Sequence, residues 1–261
     1  MRIIFNLALL CLTGFGFSAS PAGDLPKGDC DSPEPRRDLR HCDFNGAWLH
    51  DIDLSAARLD GVNLQNARLL GCNLSGASLQ GADLKWAYLT ECRLVETDFS
   101  EADLFHANFD GAVMHRAVLR KANLFGAFVN EAQVQTADFS RAYLKDVSME
   151  QSDLSHSRFD GAFMMRAVLI GSKLVGASLR TSVLTGAALE EADLSHADLS
   201  GAVLNGATLM QTIFAQAKLT GALFHNAQIQ QSDFSGVIDP PEHLRLLPGF
   251  AVPPGPDRQP P

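Results

Sequence analysis

Between Ala192 and Ala202 the chain runs A-D-L-S-H-A-D-L-S-G-A, two five-residue units back to back, each centred on a leucine. Steps of five outward from Leu194 and Leu199 meet a large apolar residue every time, back to Phe44 and on to Phe234, 39 units with no insertion. Leucine dominates; Phe99, Phe109, Met114, Val129, Val134, Met149, Met164, Phe214 and Ile229 are typical exceptions. Two residues before each centre sits something small, usually alanine, as at Ala47, Ala57, Ala67, Ala77, Ala82 and Ala87. A helix repeats its apolar face every 3.6 residues and a strand every 2, so neither template fits. A short extended segment with two inward residues two apart, followed by a corner, does fit. The other three positions face out, where Asp, Asn, Ser, Gln, Arg and Gly collect. Glycine recurs at the third of them (Gly46, Gly61, Gly71, Gly76, Gly81, Gly111), where a turn asks for a permissive backbone.

The runs A-D-L-S-H-A-D-L-S-G-A (Ala192 to Ala202) and A-D-L-K-W-A (Ala82 to Ala87) resemble pentapeptide-repeat proteins, and the match covers about three quarters of the chain. The resemblance implies an all-β solenoid: a right-handed, four-sided β-helix in which four pentads make one 20-residue coil. The inward pair comes from the pattern; the square section and the handedness come from the resemblance. About ten coils stacked at the strand spacing make a rod roughly 45–50 Å long, a single domain that grows by adding coils.

The ends differ from the repeat. Ile3 to Phe17 is a mostly apolar run behind Met1-Arg2, and Ser18-Ala19-Ser20-Pro21-Ala22 supplies small residues before Gly23. Residues 1–22 read as a secretory signal peptide cut after Ala22, the run being shorter than the roughly 18–20 residues a membrane span needs. The expected address is periplasmic or secreted. Residues 23–40 form an N-terminal linker or cap, 41–237 the repeat, and 238–261 a C-terminal cap and proline-rich tail. No proline occurs between Pro35 and Pro240, as expected where every coil needs its N–H groups. Pro240 to Leu247 reads as a short capping helix laying Leu244 and Leu247 over the open end of the rod.

Once residues 1–22 are removed, 20 basic residues face 30 acidic ones, net −10. That balance opposes nucleic-acid binding, which needs a basic face, and no further stretch has membrane length. Cys30 and Cys42 are the disulfide candidates, stapling the N-terminal segment to the first coil. Cys72 and Cys92, 20 apart in the small inward position, stack in adjacent coils either as a disulfide or as buried alanine substitutes.

Steps of 20 sort the outward residues onto four faces. Along the face built on Leu64, Leu84 and Leu104, the residue before the centre runs Asp43, Asn63, Asp83, Asp103, Asn123 and then Tyr143, Phe163, Val183, Val203, Leu223. Phe105, Phe125 and Met165 stand beside that column, with Trp86 at a corner. The stripe Phe105, Phe125, Tyr143, Phe163, Met165, Val183, Val203 and Leu223 is either a stabilising ladder or a site for a protein partner or self-association. The next face concentrates acids (Asp51, Glu91, Asp110, Glu131, Glu150, Glu190, Glu191). The face on Leu59 and Leu79 interleaves Arg58, Arg120, Lys121, Arg141, Arg158, Arg180 and Lys218 with Asp60, Asp98, Glu101, Asp138, Asp160 and Asp198.

Three function classes follow. A non-catalytic binding or structural scaffold fits the unbroken coil. A cytoplasmic, DNA-mimicking gyrase partner, known within the family, fits the acidity but not the signal peptide or the basic residues. A secreted carbohydrate-active enzyme would need loops to wall a pocket, and no pentad carries one. The histidines are scattered, and no nucleotide loop or cysteine metal motif occurs, so no catalytic residue, metal or cofactor is expected.

Overall fold

The computed structural model describes residues 24–250. The expected signal peptide, its cut after Ala22, and the tail from 251 onward lie outside the described residues.

The chain winds as a four-sided coil with a strict 20-residue register: Asp43 bridges Asn63 in parallel, Trp48 bridges Arg68, Asp53 bridges Asn73, Arg58 bridges Ser78, and so on to Lys218 with Ile238. We number the faces by their first centres: face 1 on Phe44, face 2 on Leu49, face 3 on Leu54, face 4 on Leu39 and Leu59. Both inward positions of nearly every pentad are closed to solvent, from Leu39 to Phe234. The core is therefore a continuous thread of leucines lined by alanines. Small inward positions that are not alanine still satisfy themselves: Thr97, Ser157 and Thr212 donate hydroxyl hydrogen bonds to the carbonyls of Leu74, Val134 and Leu189 at 2.7–2.8 Å, as buried hydroxyls must.

Backbone hydrogen bonds explain why this sequence makes this coil. In the pentad centred on Leu64, Leu64 N–H donates to Asp83 O, Asn66 N–H to Lys85 O, and Ala67 N–H turns back to Leu64 O. Arg68 N–H, opening the next bridge, donates to Ala47 O in the coil before. That leaves the N–H just after each centre. Where the residue before the centre is Asp or Asn, its side chain takes it: Asp53 accepts from Ser55 N–H (2.9 Å), Asp193 from Ser195 (2.9 Å), Asp198 from Ser200 (2.9 Å). This local loop closes the accounting of backbone donors and gives the Asp of A-D-L-S a physical role.

The corners are left-handed. The third outward residue has φ near +60° whether or not it is glycine, from Gly46 (+65°) to Trp86 (+58°) and even β-branched Thr181 (+55°). Glycine has a second use here. At Gly126 the His106 ring of the preceding coil lies where a Cβ would stand, and at Gly171 the Gln151 amide does the same.

Both ends are closed. The repeat begins one pentad earlier than the sequence boundary at 41, because Leu39 is fully buried and Asp38 bridges Arg58. Proline-flanked spacing hid that pentad. Pro26 to Gly28 then pairs with Asp38: Asp38 N–H donates to Pro26 O and Gly28 N–H to Asp38 O. Proline serves there because only its carbonyl is used. Arg40 grips the Asp38 carboxylate at 2.6 and 2.9 Å and holds its pKa at about 2. At the other end helix α1 (Glu242–Arg245) lays Leu244 onto the last coil, fully buried, and Phe250 meets Phe234 at 5.0 Å. The ring of His243 in α1 accepts the Phe224 N–H at 3.0 Å through Nε2. No helix of the described residues is long and apolar enough to cross a membrane.

Candidate protein-binding face

Face 1 divides at coil scale. In its first five coils the residue before the centre accepts the N–H two residues on: Asp43 from Asn45, Asn63 from Gln65, Asp83 from Lys85, Asp103 from Phe105, Asn123 from Phe125, at 3.1–3.3 Å. The carboxylates and amides also link coils, Asn123 Nδ2 reaching Asp103 at 2.8 Å and Lys85 spanning Asp83 and Asp103. Burial raises the Asp83 carboxyl, but the Lys85 and Gln65 hydrogen bonds outweigh it and hold the group below the ordinary carboxylate range.

From Tyr143 onward no side chain in that column can accept a hydrogen bond from the backbone in this way. Phe105 stacks on Phe125 (5.4 Å, 7°), Phe125 on Tyr143 (6.2 Å, 13°) and Tyr143 on Phe163 (5.4 Å, 5°). Val183, Val203 and Leu223 continue the Tyr143–Phe163 column in bridge register. Trp86 lies on the neighbouring His106 ring at 4.3 Å and meets the edge of Phe105. The structure thus places all eight stripe residues on one face, half-buried or exposed, with Tyr143 41% and Leu223 37% exposed. Lys145 sits over the Phe125 ring, and Arg166 is paired with Asp146 at the corner.

Across that corner face 2 carries apolar residues of its own. Face 2 adds Phe128 (43% exposed) in the coil of Asn123 and Phe125, Val168 and Ile170 in that of Phe163, and Met210 in that of Val203. Steps of 20 from Phe128 reach Val168, and steps of 20 from Asn130 reach Ile170 and Met210. Acids share that face: Glu150 and Glu190 stand one coil either side of Ile170, while Glu91, Asp110 and Glu131, with Thr90, Gly111 and Asn130, line an open depression of about 330 Å³.

Face 4 has the character its composition indicates. Arg120 pairs with Asp138 (2.6 Å), Lys121 with Glu101 (2.7 Å) and Arg158 with Asp160 (3.1 Å). Burial pushes the Asp138 carboxyl up, yet Ser140 and Arg120 outweigh it and keep it ionised. Such exposed pairs contribute little each but leave no strong local field. Among the described residues no imidazole is hydrogen-bonded to a hydroxyl or carboxylate, and His156 and His196 stand in one corner column two coils apart, with the His156 ring over Gly176 between them. Cys30 and Cys42 are joined with Cα atoms 5.5 Å apart, and Cys72 and Cys92 stack with theirs 4.6 Å apart.

The repeat is shared with known proteins. The family model "Pentapeptide repeats" matches residues 38–76, 57–94, 97–133, 137–164, 164–201 and 197–236. Among solved structures, trypsin-treated QnrB1, a plasmid-mediated fluoroquinolone resistance protein, is 18% identical with a TM-score of 0.60, over 70% of this chain and 89% of its own. HetL, involved in heterocyst differentiation regulation in the cyanobacterium Nostoc sp. strain PCC 7120, is 27% identical over 76% of this chain and 90% of its own, with a TM-score of 0.37. No curated protein gives a significant sequence match. Repeat model, 20-residue register and the QnrB1 coil agree: this chain belongs to the pentapeptide-repeat family and folds as its right-handed quadrilateral β-helix.

Proposed function

We propose that this protein is an exported, non-catalytic scaffold that binds a protein, or a second copy of itself, along the second half of face 1. One observation carries the reading. From Tyr143 to Leu223 five successive coils give up the side-chain acceptor that the first five use, and present apolar groups to solvent instead. A ladder built for stability alone would gain from both stacking and the local hydrogen bond, as Phe105 and Phe125 do beside Asp103 and Asn123. Contiguous exposed apolar surface of this kind is the mark of an interface. Export draws on residues 1–22, whose charge, apolar run and small residues match a signal peptide.

The test is the double change Phe163→Asp with Val183→Asp. Partner capture or dimerisation, read by light scattering and pull-down from the native compartment, is expected to vanish while the far-ultraviolet spectrum stays the same. Association that survives the two carboxylates removes the proposal. N-terminal sequencing of the native chain tests export; a start at Gly23 outside the cytoplasm is expected.

A cytoplasmic gyrase partner is the second reading, favoured by the Glu91–Asp110–Glu131 depression on face 2. The likeness to QnrB1 at 18% identity carries the coil and not its target. Inhibition of gyrase supercoiling by the purified chain would promote this reading over the first.

A further inference from the structure

The N-terminal closure gathers three metal-binding side chains in one place. His41 Nε2 lies 3.5 Å from Cys30 Sγ and 3.8 Å from Cys42 Sγ, and all three ligand atoms fall within 4.8 Å of one another. No other group of three such side chains occurs among the described residues. Tetrahedral zinc, with bonds of about 2.3 Å to sulfur and about 2.0 Å to nitrogen, sets sulfur–nitrogen edges of about 3.6 Å. Both sulfur–nitrogen distances already match. Only the sulfur–sulfur edge must open, to about 3.8 Å, and with Cα atoms 5.5 Å apart rotation about the two Cα–Cβ bonds is enough. We propose that Cys30, His41 and Cys42 form a zinc site, with the Cys30–Cys42 disulfide and the metal as alternative fastenings of the same closure.

The surroundings suit a cation. Asp29 and Asp31 flank Cys30, and Asp43 follows Cys42. Arg40, on the same turn, has its charge taken up by Asp38. His41 is exposed and also lines an open cavity of about 420 Å³ with Leu25, Lys27, Asp38 and Arg40, so its ring is reached from solvent. Two equivalents of an external thiol reduce the disulfide to Cys30 and Cys42 thiols and are themselves joined as a disulfide. Zinc then displaces the two thiol protons and takes the lone pair of neutral His41 Nε2, whose proton sits on Nδ1. The coil is unchanged in either state, because its ladder is carried by backbone bridges such as Asp38 with Arg58 and Asp43 with Asn63 and does not run through these sulfurs. The closure thus reports its compartment: disulfide where thiols are oxidised, thiolate-bound zinc where they are kept reduced.

The full chain, thiol-reduced and handled without oxygen, is titrated with Zn²⁺ against a chromophoric chelator, and with Co²⁺ to observe thiolate-to-metal charge transfer. One ion per chain is expected after reduction and none before. Cys30→Ser or Cys42→Ser should abolish binding, and Cys72→Ser with Cys92→Ser should leave it unchanged. His41→Ala should weaken binding at least about tenfold, the scale by which lesser contacts to zinc already matter. Because loss of Cys30 also unfastens the N-terminal segment, His41→Ala, which keeps both sulfurs, is the deciding variant. Equal uptake by the oxidised chain, an affinity unmoved by His41→Ala, or binding that follows Cys72 and Cys92 would each overturn the site.

Discussion

The two halves of face 1 share one backbone and one register but stabilise it differently. In the first half Asp43 to Asn123 tie down the spare backbone N–H and bridge neighbouring coils. In the second half Tyr143 to Leu223 offer no such acceptor and stack or pack instead, and the last N–H of the series, that of His225, goes to Asn205 Oδ1 in the coil before. A stable coil can therefore be made either way, and the choice between them was free to answer something outside the fold. The inward positions show no such freedom: Ala142 and Leu144 are as buried as Ala102 and Leu104.

The largest expected effect breaks the comparison at its seam. Leu124, fully buried between the halves, becomes an unpaired buried charge in Leu124→Asp, which should cost at least about 4 kcal/mol. Denaturant unfolding should show adjacent coils of both halves lost together. Asn123→Ala removes the acceptor for Phe125 N–H and the link to Asp103 and should cost about 1–1.5 kcal/mol. In the other half Val183→Asn puts that acceptor where Thr185 N–H can reach it; stability should change by less than about 0.5 kcal/mol while association falls. A large loss of stability there would mean that the apolar column serves the coil after all.

The lid continues the second half of face 1, Leu244 falling 20 residues after Phe224. Burial first, and the stacked His225 second, lower the His243 pKa below its ordinary 6.5. The unfolded or undocked imidazole therefore takes a proton before the docked one does. The lid's stability is complete above pH 6.5 and is lost as the pH falls from there through the lower folded pKa. Hydrogen exchange should show the Phe224 amide losing protection over that range, and His243→Ala should lack the step. A small gain is expected at a corner. Thr181→Gly relieves a β-branched residue at φ +55° and should raise stability by about 0.5–1 kcal/mol, seen as a slightly higher unfolding midpoint.

Much of this was legible because the repeat makes distant residues calculable. A step of 20 put Phe163 beside Tyr143 before any coordinate was known, and the bridge register places them so. The corner glycines were legible as backbone requirements, though not that His106 and Gln151 would lie over Gly126 and Gly171. The Asp of each A-D-L-S unit was read only as an outward polar residue. Its bond to the second following N–H became apparent once the coil had claimed every other donor. Val168 and Ile170 were readable by the same arithmetic as the stripe, though not that the Asp146–Arg166 ion pair would stand at the corner beside them.

By itself the sequence determined the inward pair, the period, the stacking partners on every face and the absence of proline from the coil. Each follows from one local rule applied without interruption. Only the tertiary structure decided what lies off that rule. It showed Leu39 as the first core residue, Leu244 closing the last coil, and His41 brought against Cys30 and Cys42 across the N-terminal closure. These contacts depend on how non-repeating segments fold back over the ends, where the 20-residue step no longer applies and the chain is placed by which backbone groups and apolar side chains the end coils leave uncovered.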